Sequence, residues 1–192
     1  ISYAIVQADS AILFIDPTKL TADVKDNLLR SGVDTQPYDK ISSYIKSLSS
    51  GKRIGMDPNK VNYALYKAVP CACQVVETVS PVVHMKCIKN EVELSGLRRA
   101  LVKDGVALVK FFRWLEATVP TGEVSELSAI EQLRHCREAQ SLFVTESFGT
   151  IAGYAEHGAI VHYDSTEESN VTLKAENFFL LDSGGQYLDG TT

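Results

Sequence analysis

Residues 178–192 read FFLLDSGGQYLDGTT. Four apolar residues, Phe178 to Leu181, run into Asp182. A glycine pair follows, then an Asp-Gly turn signal and two threonines. The pattern predicts a buried strand that delivers a carboxylate to its end, with the chain turning back toward it. A buried carboxylate has its pKa raised or destabilises the fold unless a metal, an arginine or a cage of hydrogen bonds meets it. Spacing alone leaves two readings open: a metal-binding or catalytic Asp182, and a hydrogen-bonded turn aspartate. Asp189 sits in the Asp189-Gly190 turn, where bonding its own backbone is the expected role.

Upstream, residues 156–163 read EHGAIVHY. His162 alternates with Ile160 on a strand-like run, which puts both on one face, and His157 falls in the preceding turn. A lone histidine on a half-buried strand is more often structural than catalytic. Residues 147–156, SFGTIAGYAE, are small and polar and could line a pocket; most such loops do not. Before them lies the clearest helix, from about Asn90 to Val119, with Leu94, Leu97, Leu101, Leu108, Phe112 and Leu115 as its apolar stripe. Gly105 fills the missing slot. A mid-helix glycine costs about 1 kcal/mol against alanine, so close packing is expected there. Asp104 reads as a solvated or capping carboxylate. Pro120-Thr121-Gly122 ends the helix. Ser125 caps a second one, with Glu126 and Glu131 near its positive end and Arg134 and Arg137 near its negative end.

The front of the chain alternates short elements. Residues 2–7 and 11–15 predict a hairpin. Residues 21–31 predict a helix capped by Thr21 and stopped by Gly32, and residues 39–49 and 59–69 two more helices. RIGMD at 53–57 and CQVVETV at 73–79 predict strands. No phosphate-binding glycine loop is present. Ser80-Pro81 punctuates the chain. The expected organisation is a small α/β domain at 1–79, a connector at 80–88 and a second domain over 89–192.

The 192 residues are 45% apolar and 22% charged, as in ordinary globular proteins. The net charge of −5 argues against a nucleic-acid surface. Residues 1–80 hold nine basic and eight acidic side chains, and residues 81–192 hold ten and sixteen. An acidic second half suits a metal-centred or cationic-substrate site, although a solvated acidic surface is the commoner cause. No apolar run approaches a membrane span. Cys71, Cys73, Cys87 and Cys136 lack zinc or redox spacing and read as small hydrophobes. No secretory feature is evident at the front, so a reducing, cytoplasmic setting is expected. The first residue is Ile1, not methionine, and the chain reads as a piece of a longer protein or one trimmed at its front.

LLDSGGQYLDGTT resembles the first metal-ligand segment of the aminopeptidase P family, the Xaa-Pro aminopeptidases of the pita-bread fold, which runs D-S-G-x-Q-Y-x-D-G-T-T-D. SFGTIAGYAEHGAIVHY is similar to that family's segment just upstream, with its G-A-I-x-H-Y core. CIKNEVELSGLRRALVKDGVALVKFFRWLE (87–116) resembles the long first helix of the catalytic domain. SYAIVQADSAILFID (2–16) is similar to the middle domain of the long, cytosolic, three-domain members.

The resemblance implies an α/β (α+β) chain. It comprises a creatinase-like middle domain at 1–79 and the N-terminal part of a pita-bread catalytic domain at 89–192. It implies a metal-dependent hydrolase that cuts between an N-terminal residue and a following proline, using two divalent ions, usually manganese. Carried over by residue, Asp182 matches the first of five metal ligands. His162 matches a catalytic histidine near the substrate, and Tyr163 matches the motif without a role. The second ligand of the family is an aspartate directly after Thr192, and the remaining histidine and two glutamates lie beyond it. Residues 1–192 alone are therefore expected to hold no metal and to be inactive. Gly149 stands where many members have proline, and His157 where the common residue is asparagine, so His157 is not read as a ligand. The implied partners are peptides with proline in second position and a further copy of the chain or its remainder; neither nucleic acid nor a membrane is expected. A non-catalytic peptide- or histone-binding module and a prolidase- or creatinase-type hydrolase are the alternatives on the same fold.

Overall fold

A computed structural model describes residues 1–192. Residues 1–88 and 89–192 form two compact units, and no sheet runs through both.

In the first unit β1 (Tyr3–Val6) and β2 (Ala11–Ile15) pair antiparallel as the expected hairpin. Alternation in β2 turns Ile12 and Phe14 inward. Helix α1 (Ala22–Arg30) starts where the Thr21 hydroxyl accepts from the Val24 amide. It then crosses to β3 (Val33–Pro37), which runs parallel to β2. That strand was not legible in VDTQP, which has little apolar alternation. Helix α2 (Ile41–Lys46) buries Ile41 and Ile45. Strands β4 (Arg53–Met56) and β5 (Gln74–Glu77) form a separate parallel pair. The helix expected over 59–69 shortens to α3 (Tyr63–Lys67), because Asn62 adopts an extended conformation and caps Leu65 through its side chain. Ile12, Phe14, Ile41, Ile45, Leu65 and Ala68 make the core. The expected connector is itself a helix, α4 (Pro81–Cys87).

In the second unit α5 is one unbroken helix, Glu91–Thr118, and Asn90 caps it in a reciprocal pair with Glu93. The stripe it buries most deeply is offset from the leucine stripe, of which Leu108 and Leu115 pack at the edge of the core. Gly96, Ala100, Asp104, Ala107 and Phe111 face inward, while Leu101 is 60% and Phe112 46% exposed. The reason is closeness: small residues let Asp189 and Gly190, in the turn near the end of the chain, lie against the helix backbone. Gly96, not Gly105, is the packing glycine. A Cβ on Gly96 would collide with the Asp189 carbonyl, whereas one on Gly105 would meet nothing within 4 Å.

Helix α6 (Glu126–Glu138) follows, capped by Ser125. Strands β6 (Phe143–Glu146), β9 (Gly185–Tyr187) and β10 (Gly190–Thr191) form one sheet in the order β10-β9-β6. Strands β7 (Ile151–Tyr154) and β8 (Phe179–Asp182) form an antiparallel pair. Ala107, Phe111, Val124, Ala129, Leu133 and Tyr154 belong to the core of this unit. Cys136 is the buried thiol; Cys71 and Cys87 are exposed and Cys73 half-buried, so three of the four do not act as interior hydrophobes.

Candidate metal centre

Asp182 closes β8, held opposite Ile151 of β7. The strand is not buried on both faces as its apolar run suggests. Phe179 and Leu181 pack on the core, while Phe178 is 94% and Leu180 43% exposed. Asp182 follows that alternation and faces solvent. Its carboxylate is therefore open to a ligand.

The residues after it fold back on themselves. The Gly185 amide donates to the Thr192 hydroxyl at 2.9 Å, and the Thr192 amide donates to the Gly185 carbonyl at 3.0 Å. The Ser147 hydroxyl donates to the Thr192 carbonyl at 2.9 Å. Gly184 has no room for a Cβ, because that carbonyl and the Ser147 hydroxyl occupy the space. Thr192 is thus brought beside a residue only two positions from Asp182. This is the geometry that the Gly-Gly pair and the Asp-Gly turn serve. Asp189 does bond its own backbone as the turn suggested, but as the least of its partners. It takes Lys103 at 2.6 Å and Arg99 at 3.1 Å, and these hydrogen bonds, Lys103 first, hold its carboxyl below its ordinary value.

His162 is not on a strand. Residues Ala155–Ala159 form a short 3-10 turn. The backbone then passes through His162 at φ 55°, so the alternation with Ile160 has no strand behind it. The close approach of Gly153 to the 157–158 backbone, where a Cβ would sit 2.9 Å from the Gly158 nitrogen, curls this segment. His162 is exposed. A left-handed backbone is uncommon for a residue with a Cβ, although histidine is among the types enriched there. It persists where the flanks impose it.

Here the flank is Tyr163, buried, whose hydroxyl donates to Glu126 at 2.8 Å. Glu126 is fully buried at the start of α6. It also accepts from the Tyr154 amide at 2.7 Å, and His157 Nδ1 lies 2.9 Å from it. The His157 and Tyr163 rings are 4.6 Å apart. Glu126 is thus not merely a charge matching the helix dipole; it ties α6 to the loop that carries His162.

A second polar cluster contradicts the reading of Asp104 as solvated. Asp104 of α5 is buried and takes the Arg137 guanidinium at 2.8 Å and 3.2 Å. The Tyr187 hydroxyl donates to it at 3.0 Å. Burial pushes the Asp104 carboxyl up, but the Arg137 hydrogen bonds and charge, with Tyr187, outweigh it and hold it below its ordinary value. Burial first, then the Asp104 charge, pushes Tyr187 well up. Arg137, expected at a solvated helix end, is 0% exposed, and its second amino group donates to the Ser183 hydroxyl at 3.0 Å. The signal was present. Asp104 falls within the small-residue stripe of α5, and Glu126, Ala129, Leu133, Cys136 and Arg137 share one helical stripe of α6, acid and base at its two ends.

Asp182 supplies an exposed oxygen donor on a hydrogen-bonded strand, the donor type a hard divalent ion takes, and so fits as one ligand. No three His, Cys, Asp or Glu side chains converge within residues 1–192, so these residues do not complete a metal cage.

Residues 95–192 match the metallopeptidase family M24 and residues 1–93 the creatinase/prolidase N-terminal domain. The chain belongs to metallopeptidase family M24. It is 35% identical over 221 residues to aminopeptidase P2 of Arabidopsis thaliana, and 38% over 197 residues to Xaa-Pro aminopeptidase 1 of Dictyostelium discoideum. Each match covers 100% of this chain and 31% of the relative. Among solved structures it superposes on X-prolyl aminopeptidase from Caenorhabditis elegans, described as a cytosolic enzyme with a di-nuclear active site. The TM-score is 0.87 and the identity 32%, over 100% of this chain and 32% of that one. Xaa-Pro dipeptidase from Bacillus anthracis shares the fold, with a TM-score of 0.73 at 16% identity over 97% of this chain and 51% of that one. The chain spans about a third of the length of the curated relatives it matches.

Proposed function

We propose that the full-length protein is a Xaa-Pro aminopeptidase of the cytosol, and that it hydrolyses the bond between an N-terminal residue and a following proline. The creatinase-like middle domain is assigned to 1–79, a connector to 80–88 and the N-terminal part of the pita-bread catalytic domain to 89–192. One observation carries the reading. The segment DSGGQYLDGTT is intact, with Asp182 exposed at a strand end and Thr192 folded back beside Gly184 and Gly185. It stands in a chain whose whole length matches Xaa-Pro aminopeptidases.

Asp182 is assigned as a metal ligand and His162 as the histidine that hydrogen-bonds near the scissile group. When bound, a pair of divalent ions held in part by Asp182, with manganese as the candidate, would supply an activated water and polarise the scissile carbonyl. This chain's own part is positional. The β7 pairing fixes the Asp182 backbone. The buried Glu126–Tyr163 hydrogen bond holds the turn that presents His162 to solvent.

Steady-state hydrolysis of an Arg-Pro-Pro peptide by the full-length protein tests the reading. Asp182→Asn should remove nearly all activity, and His162→Ala should lower kcat by about 10²- to 10⁴-fold, the range for one positioned acid–base group. An Asp182→Asn protein that keeps its rate would refute the assignment. A Xaa-Pro dipeptide cleaved in preference to the tripeptide would move the activity to the dipeptidase type.

A further inference from the structure

Beyond Asp182 itself, a buried linkage runs from two helices to the residue beside it. Arg137 of α6 is 0% exposed and grips Asp104 of α5 through two hydrogen bonds. The amino group that makes the longer of these also donates to the Ser183 hydroxyl at 3.0 Å. Ser183 follows Asp182 directly, at the point where β8 ends and the chain turns into β9. Tyr187, at the far end of β9, donates to the same Asp104 at 3.0 Å. Both ends of the segment that leaves Asp182 therefore hang on one ion pair, and that pair is fixed by two packed helices.

We propose that Arg137 is a positioning residue for Asp182, setting the position of this metal ligand through Ser183, with Asp104 holding the guanidinium in place. The inference rests on the assignment of Asp182 as a ligand. A carboxylate at the last position of a short strand has a fixed backbone on one side only, the β7 side. On the other side its peptide leads into Ser183, and the backbone is next held at Gly184, whose carbonyl accepts from the Ser147 amide at 2.9 Å. A guanidinium is suited to the task because its planar fork donates in two directions at once, one toward Asp104 and one toward Ser183. Lysine, a point charge on a flexible stem, keeps the charge but not the fork. Outer groups that orient metal ligands typically change metal affinity or activity by about 10- to 100-fold when removed. Arg137 acts one residue removed from the ligand, so the lower end is expected.

The test is calorimetric titration of Mn²⁺ into the metal-free full-length protein, with thermal unfolding and steady-state kinetics on the same samples. Ser183→Ala and Arg137→Lys should each bind Mn²⁺ about tenfold more weakly at unchanged stoichiometry, and lower kcat with KM little altered. Ser183→Ala should do so with its Tm close to that of the unsubstituted protein, which a purely structural hydroxyl would not produce. If Arg137→Lys does not fold, Ser183→Ala decides alone. Wild-type Mn²⁺ affinity and kcat in Ser183→Ala overturn the inference. Asp182→Asn is the reference and should lose a bound ion. If it binds Mn²⁺ like the unsubstituted protein, the ligand assignment fails, and the positioning role fails with it; the variant that fails tells the two cases apart.

Discussion

At the scale of single residues the second unit is governed by two buried carboxylates that the sequence disguises as helix-surface charges. Asp104 and Arg137 are both out of water, and removing one member of such a pair leaves the other charged and uncompensated. Asp104→Ala should cost about 3–5 kcal/mol, measured by urea unfolding at pH 7. Asp104→Leu with Arg137→Met should cost less than the single change. It should still cost about 1–3 kcal/mol, because the Tyr187 hydroxyl loses its acceptor. The same pair fixes a pH dependence. The Asp104 carboxyl is held below its ordinary value in the folded protein. Its contribution is complete above the unfolded carboxylate pKa of about 4 and is lost as pH falls through the lower folded value. Asp104→Asn should flatten the acid limb of Tm against pH below about pH 4, leaving the part due to the other depressed carboxylates, Asp189 and Asp16. An unchanged acid limb would mean that other carboxylates control it.

At the scale of elements, α5 shows what two glycines in one helix are for. Gly96 lets the Asp189 carbonyl reach the helix, while Gly105 faces open space. Alanine gains about 1 kcal/mol over glycine in a helix interior. Gly105→Ala should therefore stabilise by about 0.5–1 kcal/mol, and Gly96→Ala should destabilise in spite of the same gain, since it must push the β9–β10 turn away. Opposite signs in thermal unfolding check this pairing; equal signs would refute it. The helix itself was legible from its length, its period and its Asn90 start. Which face it buries was not, because leucine spacing reports where apolar residues lie and not where another backbone comes close. Likewise the front hairpin, α1, β4 and β5 follow from alternation and caps, whereas β3 was hidden in a polar VDTQP. The Asp182 segment was legible as a motif. The backbone of His162 was misread as a strand, because period-two alternation over IVHY is mimicked by a curled turn pinned from Tyr163. Glu126 and Arg137 were missed as buried because charges at opposite helix ends satisfy the dipole rule equally well in water.

At the scale of the molecule, Asp182 stands apart from other potential ligand side chains within residues 1–192. No three potential ligand side chains converge there, and no helix is long and apolar enough to cross a membrane. The second unit also exposes Val102, Val106 and Val109, which share one face of α5 at spacings of four and three. An exposed apolar stripe favours association with another chain. A polypeptide of residues 1–192 alone should therefore self-associate, which light scattering would show as a mass above 21.1 kDa. The metal follows the same logic. A hard dication takes about six oxygen or nitrogen ligands, and one exposed carboxylate on a strand end cannot supply them. Asp189, the next acid along, is committed to Lys103 and Arg99, and Asp104 to Arg137. Residues 1–192 on their own should then bind Mn²⁺ no better than a free carboxylate and leave an Arg-Pro-Pro peptide uncut. The full-length protein should bind Mn²⁺ and cleave that peptide, and Asp182→Asn should lose a bound ion and the cleavage. A tight calorimetric Mn²⁺ isotherm for residues 1–192, unaffected by Asp182→Asn, would place the metal elsewhere in this chain and remove Asp182 from the site.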